Sequence, residues 1–224
     1  DDATASYSVH GDAIDGLTLN TNGNWSFDPS HTAYDSVKQG ATQNVTVTYA
    51  VTDGVATTTG SFVITVTGTN DAPVATFTTA QSATEGGVSI NGQLTSTDVD
   101  SDSTVTYSAR GATVAGLTIN SNGTWTFDPS VNEYDSIKKD ATQDVVALYL
   151  VTDDRGAMGH GSFTITVTGT NDAPVATFST AQSATEGAAA ISGTVTSTDV
   201  DDDATASYSV HGDAIDGLTL NTNG

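Results

Sequence analysis

Residues 162–168 read Ser162-Phe163-Thr164-Ile165-Thr166-Val167-Thr168, and they run into Gly169-Thr170-Asn171-Asp172-Ala173-Pro174-Val175. The first stretch alternates apolar residues with threonine, which is the period of a strand with one buried and one wet face. Phe62, Ile64 and Val66 fill the same face upstream, and Gly68 to Val74 repeats Gly169 to Val175 letter for letter. A strand followed by a junction, found twice, sets the frame for everything else.

Working outward, the chain repeats at an offset of 100 or 101 residues. Asn24-Trp25-Ser26-Phe27-Asp28-Pro29-Ser30 returns as Thr124-Trp125-Thr126-Phe127-Asp128-Pro129-Ser130, and Ala83 to Gly86 returns as Ala184 to Gly187. The offset grows by one after Val51-Thr52-Asp53, which places a hairpin loop with an extra residue near 154–161. Residues 1–23 and 202–224 are identical. The expected organisation is a partial repeat at 1–71 without opening strands, a complete repeat at 72–172, and a partial repeat at 173–224 without closing strands. It reads as a window cut from a longer array.

In the complete repeat, strands are expected at 74–79, 88–96, 104–109, 117–120, 124–127, 144–151 and 162–168. Asn122-Gly123 is a two-residue hairpin signal that demands positive φ. A helical turn is expected in 130–141. Seven short strands in about a hundred residues make an all-β chain of tandem seven-stranded β-sandwiches of Ig-like pattern, and the resemblance given below makes these cadherin-like units in an extended array. Trp25 and Trp125 read as core aromatics rather than ligand platforms.

Charge narrows the function. Five basic residues face 27 acidic ones, for a formal net charge of -22. Phosphate recognition needs Lys and Arg clusters, so nucleic acid is excluded as a partner, and an anionic membrane surface would repel the chain. No apolar run reaches the roughly eighteen residues of a membrane-spanning helix. Cysteine is absent, which suits a cytosolic protein but also the bacterial surface proteins that use metal ions in place of disulfides.

The carboxylates fall in a pattern. Asp98, Asp100 and Asp102 alternate in one loop, and Asp199, Asp201 and Asp203 are their counterparts. Carboxylates held this close repel unless a cation neutralises them, and an all-oxygen set without His or Cys suits Ca2+. The spacing is not that of an EF-hand, because position six is Ser103 and position twelve is Ala109. Sandwich topology brings the loop after the second strand and the loop before the last to the end that receives the linker. Asp98, Asp100, Asp102, Asp153 and Asp154 are therefore expected to gather near Asn70 and Asp71, with Asp28 and Asp35 from the upstream repeat. At the next junction the set is Glu85, Asp135, Asn171, Asp172, Asp199, Asp201 and Asp203. The competing reading is a set of solvated turns, since Asp and Asn favour turns.

The quoted motifs, with Tyr134-Asp135-Ser136, resemble the VCBS/cadherin-like repeats of giant RTX-type bacterial adhesins, and the resemblance covers nearly the whole chain. It implies an extracellular, surface-anchored or secreted extender used in attachment or biofilm formation, with Ca2+ between neighbouring repeats. The glycine-rich nonapeptide calcium repeats of RTX regions are missing. The expected function is thus a calcium-stiffened spacer whose partners are the neighbouring repeats. A subunit of a self-assembling filament of identical chains is the alternative. An enzyme is the weakest class, because His10, His31, His160 and His211 share no constellation between the copies and read as exposed loop residues.

Overall fold

The computed structural model describes residues 4–100, 104–201 and 205–224. Asp102 and Asp203, two of the expected metal ligands, lie outside them. Among the described residues no helix is long and apolar enough to cross a membrane.

The middle repeat closes as a sandwich. One sheet runs in the order Val105–Ala109, Thr142–Asp153, Met158–Thr168, Gln81–Thr84, and the other runs Leu117–Ile119, Thr124–Phe127, Ile90–Gln93. A short antiparallel pair joins Val74–Ala75 to Ser96–Thr97. Because the alternation puts Phe163, Ile165 and Val167 on one face, these three pack inward with Ala147, Tyr149, Val151, Trp125 and Phe127. Nine strand segments make seven strands, since the first two strands are each broken. The cadherin-like β-sandwich expected from the sequence is the fold observed.

Two breaks and one extension depart from the sequence reading. The opening strand ends at Ala75 and resumes at Gln81–Thr84, which pairs in parallel with Ile165–Thr168 on the opposite sheet. The crossing between the sheets carries Phe77 against Trp125 and Phe163. The second strand breaks at Leu94, where the side chain is buried and the backbone N–H donates to the Gly123 carbonyl. The closing hairpin is tighter than expected, with Thr152 opposite Met158, so His160 lies in a strand opposite Leu150 and not in a loop. The extra residue is there nonetheless, because the first copy turns from Thr52 to Thr57.

In 130–141, where the sequence predicts a helical turn, the described chain makes hydrogen-bonded turns and no helix, with Tyr134 N–H donating to the Val131 carbonyl at 3.1 Å, whereas the equivalent stretch of the first repeat is a 3-10 turn at Thr32–Tyr34. Its role is clearest in the packing. Tyr34 Oη donates to the Asp15 carbonyl at 2.7 Å, and Tyr134 Oη donates to the Ala115 carbonyl at 2.9 Å. Tyr134 is almost fully buried. Tyr134→Phe is therefore expected to cost about 1–3 kcal/mol by stranding that carbonyl. Urea unfolding monitored by circular dichroism measures it, and a cost near zero would show that water replaces the hydroxyl.

The first and third segments are less complete. In 4–71 the strands Ser6–Val9, Thr42–Thr52 and Thr57–Thr67 form one sheet and Leu17–Leu19 pairs with Trp25–Phe27. In 173–224 the described strands are Val175–Ala176 and Ser197–Thr198. Trp125 is 1% exposed, as expected of a core aromatic, but Trp25 is 52% exposed. The difference is tertiary: Phe77, Gly92 and Leu94 cover Trp125 from the opening strands, and residues 4–71 hold no counterpart of those strands.

Candidate metal centre

Each junction is built by a linker that inserts between loop ends. At the first, the Asp71 backbone N–H donates to Asp100 Oδ2 at 2.8 Å, and Asn70 Nδ2 donates to Asp153 Oδ2 at 2.8 Å. The Asp100 N–H in turn donates to Asp98 Oδ1 at 3.0 Å, which folds the acidic loop back on itself. Asp35 and Asp71 line a cleft of about 300 Å3 with Pro29, Tyr34 and Gly68. Burial pushes the Asp71 carboxyl above the usual range, and Asp100, Asp35 and Asp98 add to the rise by like-charge repulsion.

The second junction repeats the geometry. Asp172 N–H donates to Asp201 Oδ2 at 3.0 Å, Asp201 N–H to Asp199 Oδ1 at 3.0 Å, and Thr170 N–H to Glu85 Oε2 at 2.8 Å. Glu85 is only 4% exposed. Burial raises its pKa; the Thr170 N–H opposes that, and Asp172 and Asp201 reinforce it. Asn171 Nδ2 donates to the Asp172 carbonyl.

Three carboxylate oxygens at these joints are buried without any hydrogen-bond partner: Asp100 Oδ1, Asp172 Oδ2 and Asp201 Oδ1. A stranded buried oxygen costs about 1–3 kcal/mol, and more when charged. An all-oxygen donor set of this kind is chemically compatible with a hard cation such as Ca2+, which takes several oxygens in irregular geometry. Among the described residues, no three His, Cys, Asp or Glu side chains stand close enough together to hold a metal ion.

Other expected ligands have different partners. The Asp28 carboxylate accepts from Ser30 N–H at 2.9 Å and Ser30 Oγ at 2.7 Å, so it caps the turn after Pro29 and stands apart from the junction bonds. Asp154 is exposed in its hairpin turn, and the hydrogen bonds that join the second junction among the described residues are made by Glu85, Thr170, Asn171, Asp172, Asp199 and Asp201 rather than by Asp135. Asp153 has two roles. Besides Asn70, its carboxylate accepts from Arg155 N–H at 2.8 Å and Ala157 N–H at 2.9 Å. Burial works against its charge, yet these bonds hold its pKa below the ordinary value.

Sequence reasoning also missed a contact across the first joint. Arg155 Nη1 donates to Gln39 Oε1 at 3.1 Å, tying the closing hairpin of the middle repeat to the first. The signal was available, since Arg155 occupies the turn with the extra residue and is one of only five basic residues.

Residues 70–169 match the family model of the bacterial cadherin-like domain. The matched span begins at the Asn70 linker and ends at the Gly169 linker, so this cadherin-like unit reaches from one acidic junction to the other. No curated protein sequence matches the chain. Among solved structures, human CDH23 EC21-23 superposes with a TM-score of 0.54 at 16% identity, over 99% of this chain and 82% of that one. Drosophila N-cadherin EC1-4 and mouse Cadherin-23 EC22-24 give 0.45 and 0.44, each at 16% identity, over 78% and 75% of this chain. This chain spans 44% and 53% of those two fragments. At such identities the likeness to CDH23 establishes the cadherin-like fold.

Proposed function

We propose that the chain is a calcium-stiffened extender segment of a large bacterial cell-surface adhesin, structural rather than catalytic. The observation that carries this reading is the pair of junctions at which a linker amide meets an acidic loop while buried carboxylate oxygens go unpartnered. Asn70, Asp71, Asp98, Asp100 and Asp35 would hold Ca2+ at the first joint. Glu85, Asn171, Asp172, Asp199 and Asp201 would hold it at the second, and Asp102 and Asp203 belong to the same loops. A bound cation supplies charge neutralisation there. The chain's own part is to present donors from both sides of a domain boundary, so that neutralising them fixes the boundary angle. The match of residues 70–169 to a bacterial cadherin-like domain supports an extracellular setting at the bacterial surface, and attachment or biofilm formation is the use such a spacer serves.

An extender needs length and stiffness. Strands of eight to ten residues span roughly 30 Å, so each sandwich adds several nanometres of reach. Small-angle X-ray scattering on the chain, in millimolar Ca2+ and then in chelator, tests the proposal. The expected result is an extended, rigid profile that becomes flexible when Ca2+ is removed. Identical profiles in both conditions would reduce the acidic junctions to solvated turns.

A further inference from the structure

The complete middle repeat carries a surface patch that the first repeat lacks. Side chains alternate across Thr142–Asp153, so Val145, Ala147, Tyr149 and Val151 face the core while Val146, Leu148 and Leu150 face outward. The same outward positions of Thr42–Thr52 hold Thr46, Thr48 and Ala50. Across the closing hairpin, Met158 stands opposite Thr152 where the first repeat sets Thr57 opposite Thr52. Val146 and Met158 are each 54% exposed and Leu148 is 37% exposed, although the core beneath them is closed. Single apolar residues on a surface are ordinary, but a stripe of them in place of threonines asks for a partner.

The charges around the stripe change with it. Arg110 flanks Leu148, whose carbonyl accepts from the Arg110 N–H at 2.9 Å; the first repeat has His10 in that place, bonded to Thr48. Asp144 lies on the same outward face as the stripe, four residues before Leu148, where the first repeat has Asn44. Its carboxylate accepts from Thr166 Oγ1 at 2.6 Å, which holds it against the sheet. Glu133, in the place of Ala33, lines with Asp144 and Val146 an open cleft of about 430 Å3. The stripe therefore has an arginine on one flank and two carboxylates at its far end.

We infer that this face binds the same face of a second copy, side by side, as a closed two-fold pair. A two-fold axis crossing the strand between Val146 and Leu148 lays Val146 of each copy on Leu148 of the other. The same rotation carries Arg110 of each copy to the row of Val146 in its mate, roughly 7 Å along the strand from Asp144 and at the rim of the cleft. Arg110 of each copy then pairs with Asp144 and Glu133 of the other. The patch is thus complementary to itself, which is what an isologous contact requires. The charge pairs set register and orientation between two acidic chains, and the apolar stripe supplies the contact that threonines would not. One sheet face of one repeat falls short of the roughly 1,600 Å2 of a standard interface, so the pair is a weak one. A two-fold pair closes on itself and builds no filament. It uses no junction carboxylate, so it stands or falls apart from the calcium reading.

Sedimentation velocity over a concentration series at physiological salt, where screening over about 8 Å weakens the repulsion between acidic chains, tests the pair. The wild-type chain is expected to show a monomer–dimer equilibrium with the same Kd in Ca2+ and in chelator. Val146→Thr with Leu148→Thr installs the residues that the first repeat carries on this face, so the sandwich is kept and the Kd is expected to rise about tenfold or more. Arg110→Glu and Asp144→Lys each set like charges against each other across the axis, and each should weaken the pair similarly. Mixed in equal amounts, these two single variants match charge again at both ends, so the mixture is expected to dimerise at close to wild-type strength. A folding defect in either variant would not be mended by mixing. A monomer at every concentration would overturn the inference. So would a dimer that the threonine substitutions leave unchanged, or a mixture that associates no more tightly than its components.

Discussion

Trp125→Ala is expected to lower the stability of the middle repeat by about 3–5 kcal/mol, the cost of emptying a large aromatic site that cannot collapse. The ring is 1% exposed and packs between Phe77 and Phe163, with Gly92 against its edge. Trp25→Ala removes the same side chain from the matching position of the first repeat, where about half of it already faces water and Phe62 is its ring partner. Its cost is expected to be well under half as large. Trp125→Phe should recover most of the loss, because Trp125 Nε1 is buried and donates to nothing, so no hydrogen bond disappears with the indole. Thermal and urea unfolding followed by far-ultraviolet circular dichroism compares the three variants. Equal costs for Trp25→Ala and Trp125→Ala would mean that the opening strands do not close the core as described.

Asp100→Asn and Asp201→Asn are expected to change the sign of their effect with Ca2+. Each keeps the oxygen that accepts from the linker amide, Asp71 N–H or Asp172 N–H, and removes one charge from a crowded acidic joint. In chelator the substitutions should leave stability unchanged or raise it, because the neutral amide ends a like-charge repulsion. In Ca2+ they should destabilise. An ion a hundredfold above its Kd stabilises the wild-type chain by about 2.7 kcal/mol, and the variant with the weakened site forfeits most of that at its joint. Differential scanning calorimetry with and without Ca2+ reads both arms. A wild-type melting profile indifferent to Ca2+ would sink the metal reading and leave the fold untouched.

The sandwich was largely legible before any coordinates. Alternation located the buried face of Phe163, Ile165 and Val167, and the one-residue change in offset located the longer hairpin turn. That Asp100 and Asp153 come near Asn70 and Asp71 followed from topology, because loops at one end of a sandwich meet the incoming linker; which of them bonds to which was not legible. Legibility failed wherever one residue had two available partners. Asp28 reads as an acid facing the junction, but Ser30 is two residues away and captures it locally. Asp153 reads as a ligand, yet the turn it caps takes up one of its oxygens. The parallel strand Gln81–Thr84 gave no alternating signal, since Gln81, Ser82 and Thr84 are polar and Ala83 alone is buried.

The sequence by itself determined the repeat, the strand faces and the positions of the acidic loops. All of these follow from local order: side chains alternate across a strand by covalent geometry, and a repeated sequence repeats its turns. The tertiary structure decided which tryptophan is sealed and which is bare, and which carboxylate oxygens are left without a partner. Trp25 and Trp125 sit in nearly the same local sequence and differ almost completely in burial. Burial is set by strands outside the local sequence, which for Trp125 bring Phe77 and Gly92 against the ring.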